Sequence, residues 1–290
     1  MKEKTVLITG ATGGIGKQTA IALAKMGARV VVTGRSRLSG AQAVQEIRQL
    51  SGNAQVELLL ADVSSQTDLM ALAGQVQEKW ECLDVLIHNA GVAAPKRQTT
   101  EDRVELNFAA NVVAPFLLTH LLLRPLRASP SARVISLMGG DLPARLELGN
   151  LQGERHFDGL GAYSQSKLAM LCVMLEFAQR LQGEGITVNV CYPGQASTAM
   201  TRGVTPDMLP AGLRWLHPLF RWMTRPDNDQ SAAKAARSSV YLASSAELEG
   251  LSGQYVSARC QISALPKAVQ DAETRQVVWD LVHRLTGVPL

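Results

Sequence analysis

The chain has 290 residues, of which 46% are hydrophobic and 19% charged, and its formal net charge is +4. This composition supports a large buried core and excludes a disordered or collagen-like chain. The small excess of positive charge includes no long block of Lys and Arg, which argues against nucleic acid as a partner.

Membrane insertion and metal binding find equally little support in the sequence. The longest apolar run, residues 115–123, contains His120 and ends at Arg124, so it is too short to span a bilayer. The first strand signal starts at Lys4, which leaves little room for a targeting peptide. The four cysteines form no CxxC pair and show no metal-ligand spacing. We therefore expect a cytoplasmic protein with free thiols, no metal and no membrane span.

Strand and helix signals alternate along the chain. Short apolar runs predict strands over residues 5–9, 29–33, 55–60, 83–87, 133–137, 186–191 and 254–257. Helical spacing predicts helices over residues 15–26, 41–50, 67–80, 101–126, 162–181, 229–242 and 271–285. Apolar strands that alternate with helices indicate a parallel sheet covered on both faces. The prediction is an α/β fold, a Rossmann-type doubly wound parallel sheet of about seven strands.

Two segments show no regular element. Residues 139–159 carry no clear signal, and residues 199–226 combine four prolines with apolar residues that include Trp215, Phe220 and Trp222. Segments that leave the carboxyl ends of the strands line the ligand crevice in sheets of this kind. We predict one domain over residues 1–290, with residues 199–226 as a substrate-binding lid within it.

A glycine-rich run, TGATGGIG, occupies residues 9–16 between the first strand and the first helix. Gly10, Gly14 and Gly16 lack side chains, which permits a tight turn and the close approach of a diphosphate to the helix N-terminus. Thr12 and Ile15 belong to the same loop and complete the predicted diphosphate site. A purely structural glycine turn is the alternative.

The end of the second strand, Thr33-Gly34-Arg35, bears on the choice of cofactor. An acidic residue at this point would bind a ribose 2′-hydroxyl, whereas an arginine accepts a 2′-phosphate. Gly34 stands where the acid would be, and Arg35 follows it. This pattern favours NADP(H), with NAD(H) as the second choice; a solvated arginine without a ligand is the alternative.

Tyr163 and Lys167 are four residues apart in a predicted helix, so their side chains share one face. A free tyrosine has a pKa of about 10, and a neighbouring ammonium group lowers it. Tyr163 would then act as a general acid/base, giving a proton to a carbonyl oxygen as hydride arrives from the nicotinamide.

The glycine run and the YxxxK motif resemble those of the short-chain dehydrogenase/reductase superfamily. The runs around Asn111, at Asn150–Glu154 and near the end of the chain resemble its retinol dehydrogenase-like branch, and the resemblance covers nearly the whole chain. It implies that Lys167 also holds the nicotinamide ribose and that Asn111 supports a water-linked proton relay to the lysine. Asn107 is the second choice for that role.

The resemblance also implies further contacts with the cofactor. It places the adenine beside Asp62 and Val63, and the carboxamide of the nicotinamide beside Thr198, with Ser197 as the second choice. The strand ends that complete the site are Asn89-Ala90-Gly91, where His88 replaces the usual first asparagine, and Pro193-Gly194, which packs on the nicotinamide.

One departure from the family concerns the serine that normally follows the fifth strand and bonds the substrate carbonyl. The run here is Val134-Ile-Ser-Leu-Met-Gly-Gly140, so Met138 and Gly139 occupy the positions of the serine pair. Ser136 comes too early and is expected to belong to the strand. A substrate group, Ser164 or a backbone N–H near Gly139 or Gly140 is left to supply the missing donor.

Three functions are compatible with these features. The first is an NADP(H)-dependent oxidoreductase that reduces a ketone or aldehyde of a bulky hydrophobic small molecule, or oxidises the alcohol. The second is an atypical family member in biosynthesis that catalyses cyclisation, isomerisation or dehydration. The third is a catalytically silent, cofactor-binding regulatory protein. The retention of Tyr163, Lys167 and Asn111 favours the first, and the apolar helix 168–177 is compatible with a homodimer or a monomer.

Overall fold

A computed structural model describes residues 1–139, 142–194 and 228–288 of the chain. The strands are β1 Thr5–Ile8, β2 Arg29–Gly34, β3 Val56–Leu60, β4 Val85–His88, β5 Ala132–Leu137, β6 Ile186–Cys191, β7 Tyr255–Val256 and β8 Ile262–Ser263. They form one sheet in the order β3-β2-β1-β4-β5-β6-β7-β8. Strands β1 to β7 are parallel to one another, and β8 pairs antiparallel to β7.

Helices cover both faces of this sheet, as expected for strands that are apolar on both sides. A larger core cluster lies on one face and includes Val134 and Phe177; a smaller one lies on the other and includes Ile8 and Ile135. The helices are α1 Gly14–Lys25, α2 Arg37–Ser51, α3 Gln66–Lys79, α4 Leu106–Phe108, α5 Ala114–Leu121, α6 Leu123–Arg127, α7 Gly159–Arg180, α8 Asn228–Ser244 and α9 Ala272–Thr286.

The α/β fold class is confirmed, with two corrections to its details. The sheet has eight strands among the described residues rather than about seven, because β8 is only two residues long and gives no sequence signal. The continuous helix predicted over residues 101–126 is also wrong. Helix begins only at Leu106, after Glu105 has paired with Thr99 in an isolated β-bridge. A π-helical turn, Ala109–Val113, then interrupts the α-helical geometry.

The C-terminal helix α9 packs against α7. Arg275 Nε donates to a carboxylate oxygen of the buried Glu176 at 3.0 Å. The Trp279 ring lies edge-on to Phe177 at 4.9 Å and to Phe116 at 5.0 Å between centroids. The chain's own helix thus covers part of the apolar segment 168–177, and the homodimer stays a prediction.

The same three ranges also bear on membrane and metal binding. None of their helices is long and apolar enough to cross a membrane. None of their His, Cys, Asp or Glu side chains gather in groups of three or more that suit a metal ion. The four cysteines are free thiols.

Candidate active site

The glycine loop after β1 is locked against the loop after β4. The Asn89 amide donates to the backbone oxygens of Thr9 at 2.9 Å and Gly10 at 3.0 Å. A Cβ on Gly10, whose φ is +64°, would lie 2.9 Å from the Cα of Ala90. A Cβ on Gly16 would overlap the Asn89 amide. Glycine is therefore required at both positions for the two loops to meet this closely.

The N-terminus of α1 differs from the starts of α2, α3 and α7. Ser36, Ser65 and Asp158 cap α2, α3 and α7 with their side chains. Helix α1 starts after Gly13, which provides no side-chain cap, and no acidic residue stands in its first turn. A Cβ on Gly13 would meet nothing within 4 Å. Free N–H groups beside open space fit the diphosphate of a dinucleotide.

Arg35 and Asp62 lie together where β2 and β3 end. A guanidinium nitrogen of Arg35 is 3.6 Å from a carboxylate oxygen of Asp62, and the arginine side chain is 75% exposed. The other Asp62 oxygen accepts from the N–H and hydroxyl of Ser64. A Cβ on Gly34 would lie 2.5 Å from a methyl carbon of Thr12. Thr12 thus fills the space that an acidic side chain at position 34 would need, and Arg35 remains accessible to a phosphate.

Lys167 is buried behind the end of β5. Its Nζ donates to the backbone oxygen of Leu137 at 3.0 Å and lies 6.0 Å from the centre of the Tyr163 ring. Burial lowers the pKa of Lys167 to about 8, a shift that the neighbouring Cys191 partly opposes. The ammonium and the phenol are therefore close together, as the four-residue spacing predicted.

The expectation that Lys167 lowers the pKa of Tyr163 is wrong for this geometry. Burial raises the pKa of Tyr163 to about 12, and the nearby Tyr192 adds to the rise. Desolvation disfavours the phenolate, and this effect outweighs the attraction of an ammonium group 6.0 Å from the ring centre. Tyr163 consequently holds its proton throughout the neutral range.

Asn111 lies in the π-helical turn, where the helix widens by one residue. Its amide donates to the backbone oxygen of Val92 at 2.9 Å and to the Ser166 hydroxyl at 2.8 Å. The Ser166 hydroxyl in turn donates to the backbone oxygen of Tyr163 at 2.7 Å. Asn111 is thus connected to the segment that carries Tyr163. Asn107 accepts from the N–H of Ala94 and makes no such connection.

Ser166 was missed in the sequence, although its position just before Lys167 offered a signal. A residue three positions after Tyr163 and one before Lys167 faces the same side of the helix as the tyrosine. Its hydroxyl is buried and is the joint between Asn111 and the Tyr163 backbone.

The structure leaves no room for a side chain at position 139, where the family has its serine. Met138 is buried in the larger core cluster, and Ser136 is a fully buried residue of β5, as expected. A Cβ built on Gly139 would overlap the hydroxyl group of Tyr163. The phenol therefore occupies the space that any side chain at position 139 would enter. Gly140 lies outside the described residues.

His88 replaces the usual asparagine without adding charge to the site. It is buried, and its Nε2 lies 2.8 Å from the hydroxyl of Thr119. Burial lowers the pKa of His88 to about 3, and the charge of Lys167 contributes to this shift. The imidazole is therefore neutral at physiological pH.

The loop that leaves β6 begins with Tyr192, Pro193 and Gly194. Pro193 is buried, and Gly194 has a φ of +80°. Tyr192 packs against the larger core cluster, on the side of the sheet where α7 lies. The sequence reasoning missed Tyr192, even though it adjoins the Pro-Gly pair at a strand end. Thr198, Ser197 and the predicted lid, 199–226, lie outside the described residues.

Comparisons with known proteins agree on one family. The profile of the short chain dehydrogenase family matches residues 4–209. Human retinol dehydrogenase 13 is 35% identical over 287 residues, which cover 98% of this chain and 85% of that protein. Mouse retinol dehydrogenase 12 is also 35% identical, over 98% of this chain and 87% of its own length.

Solved structures show the same fold. A crystal structure of an uncharacterized protein from Mycobacterium paratuberculosis has a TM-score of 0.77 at 27% identity, covering 100% of this chain and 96% of its own. The Pseudomonas aeruginosa RhlG/NADP active-site complex has a TM-score of 0.65 at 27% identity, covering 89% of this chain and 95% of its own. The chain therefore belongs to the short-chain dehydrogenase/reductase superfamily, in its retinol dehydrogenase-like branch.

Proposed function

We propose that the protein is an NADP(H)-dependent oxidoreductase that reduces a ketone or aldehyde of a bulky hydrophobic small molecule, or oxidises the corresponding alcohol. The observation that carries the proposal is the pairing of Tyr163 with the buried Lys167 at the end of β5. The names of the relatives support the substrate class, because retinol is a bulky apolar alcohol. The RhlG complex supports NADP as a cofactor of this fold.

The proposed cofactor contacts follow the geometry of the strand ends. The glycine loop holds the diphosphate at the uncapped start of α1, and Arg35 takes the 2′-phosphate. Lys167 holds the nicotinamide ribose. The remaining contacts are assigned to Gly10, Thr12, Gly14, Ile15 and Gly16 for the diphosphate, to Asp62, Val63, Asn89, Ala90 and Gly91 for the adenosine, and to Pro193, Gly194 and Thr198 for the nicotinamide.

When bound, NADPH would supply the hydride and would be oxidised in doing so. The carbonyl carbon receives that hydride with its electron pair, and the π electrons of the C=O bond move to oxygen. Tyr163 gives its phenolic proton to this oxygen, which yields the alcohol. Lys167 stabilises the phenolate that remains, because its ammonium lies beside the ring. Asn111 positions Tyr163 through Ser166 and is assigned a place in the relay that returns a proton.

We further propose one domain over residues 1–290, with residues 199–226 as the lid over an apolar substrate, and a cytoplasmic location. The direct test of the activity follows NADPH absorbance with purified protein and bulky apolar ketones and aldehydes, the aldehyde of retinol among them. Consumption that depends on native protein supports the proposal. Tight NADPH binding without consumption of any carbonyl would sink it.

The replacement of the serine by Gly139 favours a second candidate, a non-redox step with bound cofactor. Such a step would leave NADPH unchanged while the substrate is cyclised, isomerised or dehydrated. Product analysis of the same incubations by mass and chromatography separates the two candidates. Unchanged substrates together with tight cofactor binding would instead indicate the silent regulatory protein.

Gly139→Ala is expected to lower kcat about a hundredfold, because the new methyl group displaces the Tyr163 hydroxyl by a fraction of an ångström to an ångström. The fold is expected to survive, since the group that must move is the far end of a side chain. Steady-state kinetics and thermal unfolding measure both effects. Gly74→Ala is the control, because a Cβ there meets nothing within 4 Å. Full activity of Gly139→Ala would contradict the placement of the phenol.

Arg35→Ala is expected to raise the Kd for NADPH about 10- to 100-fold and to leave the Kd for NADH unchanged. A hydrogen-bonded contact between charged groups contributes about 1.5 to 3 kcal/mol, and only NADPH offers the 2′-phosphate. Fluorescence titration of both cofactors measures the change. Arg237→Ala, an exposed arginine on α8, controls for the loss of one positive charge. Equal weakening of both cofactors would contradict the assignment.

A further inference from the structure

The proposed reaction needs a second hydrogen-bond donor toward the substrate oxygen. Negative charge develops on that oxygen as hydride arrives, and a single donor, Tyr163, is consumed by giving up its proton. Position 139, where the family places a serine, has no side chain, and Tyr163 fills the space there. Met138 is buried and its thioether has no hydrogen to donate, and Ser136 is fully buried within β5, so neither supplies the donor.

A phenol side chain, that of Tyr192, follows the neighbouring strand β6 at the level of Met138. Leu137 pairs with Cys191 in the parallel ladder, and the N–H of Met138 donates to the Cys191 oxygen at 2.8 Å. Tyr192 is therefore directly beside Met138, about 4.8 Å away in the hydrogen-bonding direction. Both side chains pack on the larger core cluster, which is the face covered by α7. Tyr192 thus lies on the same side of the sheet as Tyr163.

We infer that Tyr192 takes over the role of the missing serine and donates its phenolic hydrogen to the substrate carbonyl oxygen. This inference rests on the proposed reductase function. Tyr192 acts only as a hydrogen-bond donor, while Tyr163 remains the group that transfers the proton. Tyr192 is half-buried and follows the carboxyl end of β6, immediately before Pro193-Gly194. In doubly wound sheets the ligand binds outside the carboxyl ends of the strands.

The electrostatics of the three tyrosines agree with this arrangement. Burial raises the pKa of Tyr163, and Tyr192 is the neighbour that adds to the rise. Burial likewise raises the pKa of Tyr255 on β7, and Tyr192 again contributes. Tyr192 therefore influences both phenols, and its N–H donates to the backbone oxygen of Val256 on β7 at 2.8 Å.

The test compares Tyr192→Phe with Tyr255→Phe, which removes the neighbouring phenol on β7. Tyr192→Phe is expected to lower kcat about 100- to 1000-fold, the usual effect of losing one oxyanion donor. Its Kd for NADPH and its unfolding temperature are expected to stay at the native values. Tyr255→Phe is expected to retain native kcat.

Four outcomes are distinguishable when Tyr163→Phe is assayed in parallel. Loss of kcat in both Tyr163→Phe and Tyr192→Phe, with intact NADPH binding, supports the inference. Native kcat in Tyr192→Phe, with activity lost in Tyr163→Phe, overturns the inference and leaves the proposed function standing. Native kcat in both variants overturns the inference and the role of Tyr163. Absence of turnover by the native protein on any carbonyl overturns the proposed function, and the inference with it.

Discussion

Tyr163→Phe is expected to lower kcat for carbonyl reduction about a thousandfold, while NADPH binding and the unfolding temperature stay within error of the native protein. General acid catalysis by one positioned group contributes about 10²- to 10⁴-fold, and phenylalanine keeps the ring and loses only the proton. Steady-state kinetics and fluorescence titration of NADPH measure the two effects. Tyr241→Phe is the matched control, since this partly buried tyrosine packs on the smaller core cluster and donates its hydroxyl hydrogen to Glu247.

The pH dependence adds a second readout for the same residue. Burial raises the pKa of Tyr163 to about 12, so the neutral phenol needed for reduction is fully present near neutrality. Alcohol oxidation needs the phenolate, whose population rises tenfold for each pH unit this far below the pKa. Between about pH 5 and 7, at least one unit below the Lys167 pKa of about 8, the ammonium keeps its charge, and oxidation is expected to accelerate tenfold per unit. A flat oxidation rate over this range would contradict Tyr163 as the base.

The fold was predictable because its signals are local and repeated. Strands β1 to β6 are short apolar runs, and the helices after β1 and β2 have stop signals at Gly27 and Gly52. The beginning of the helix after β4 was mispredicted for a tertiary reason. Glu105 caps Leu106–Phe108 through its carboxylate while its backbone pairs with Thr99. Residues 101–105 have helical spacing, but the pairing of Glu105 with Thr99 overrides this local preference.

The candidate site was also predictable only in part from the sequence. The spacing of Tyr163 and Lys167 fixed their shared face, which the 6.0 Å distance from ammonium to ring centre reproduces. Their pKa values depend on burial, which no short motif reveals, and here the expectation for Tyr163 had the wrong direction. The hydrogen bond from Asn111 to Ser166 and the position of Tyr192 beside Met138 depend on how α7 and β6 pack against their neighbours. Contacts between distant segments are the part that sequence patterns leave undetermined.

Lys167→Met is expected to lower the activity of the protein and to raise its stability. Loss of the ammonium beside Tyr163 is expected to lower kcat about a thousandfold, since the phenolate left by proton transfer loses its stabilising charge. The same change is expected to raise the free energy of unfolding at pH 7 by about 1 to 3 kcal/mol. The fall in the lysine pKa from 10.5 to about 8 corresponds to roughly 3 kcal/mol spent on burying charge. The lost hydrogen bond to the Leu137 oxygen offsets about 1 kcal/mol of this gain.

The gain in stability of Lys167→Met, and its dependence on pH, follow from the number of protons that the folded and unfolded chains bind. Below about pH 8 the lysine is charged in both the folded and the unfolded chain, and the folded chain carries the full burial cost. Between about 8 and 10.5 the unfolded chain holds the extra proton, so native stability rises with pH and the advantage of the variant shrinks. Urea unfolding at pH 7 and at pH 9.5 measures this, with the exposed Lys79→Met as control. A variant that is inactive and less stable than the native protein at pH 7 would contradict this prediction. It would show that the buried ammonium of Lys167 raises the free energy of unfolding and does not lower it.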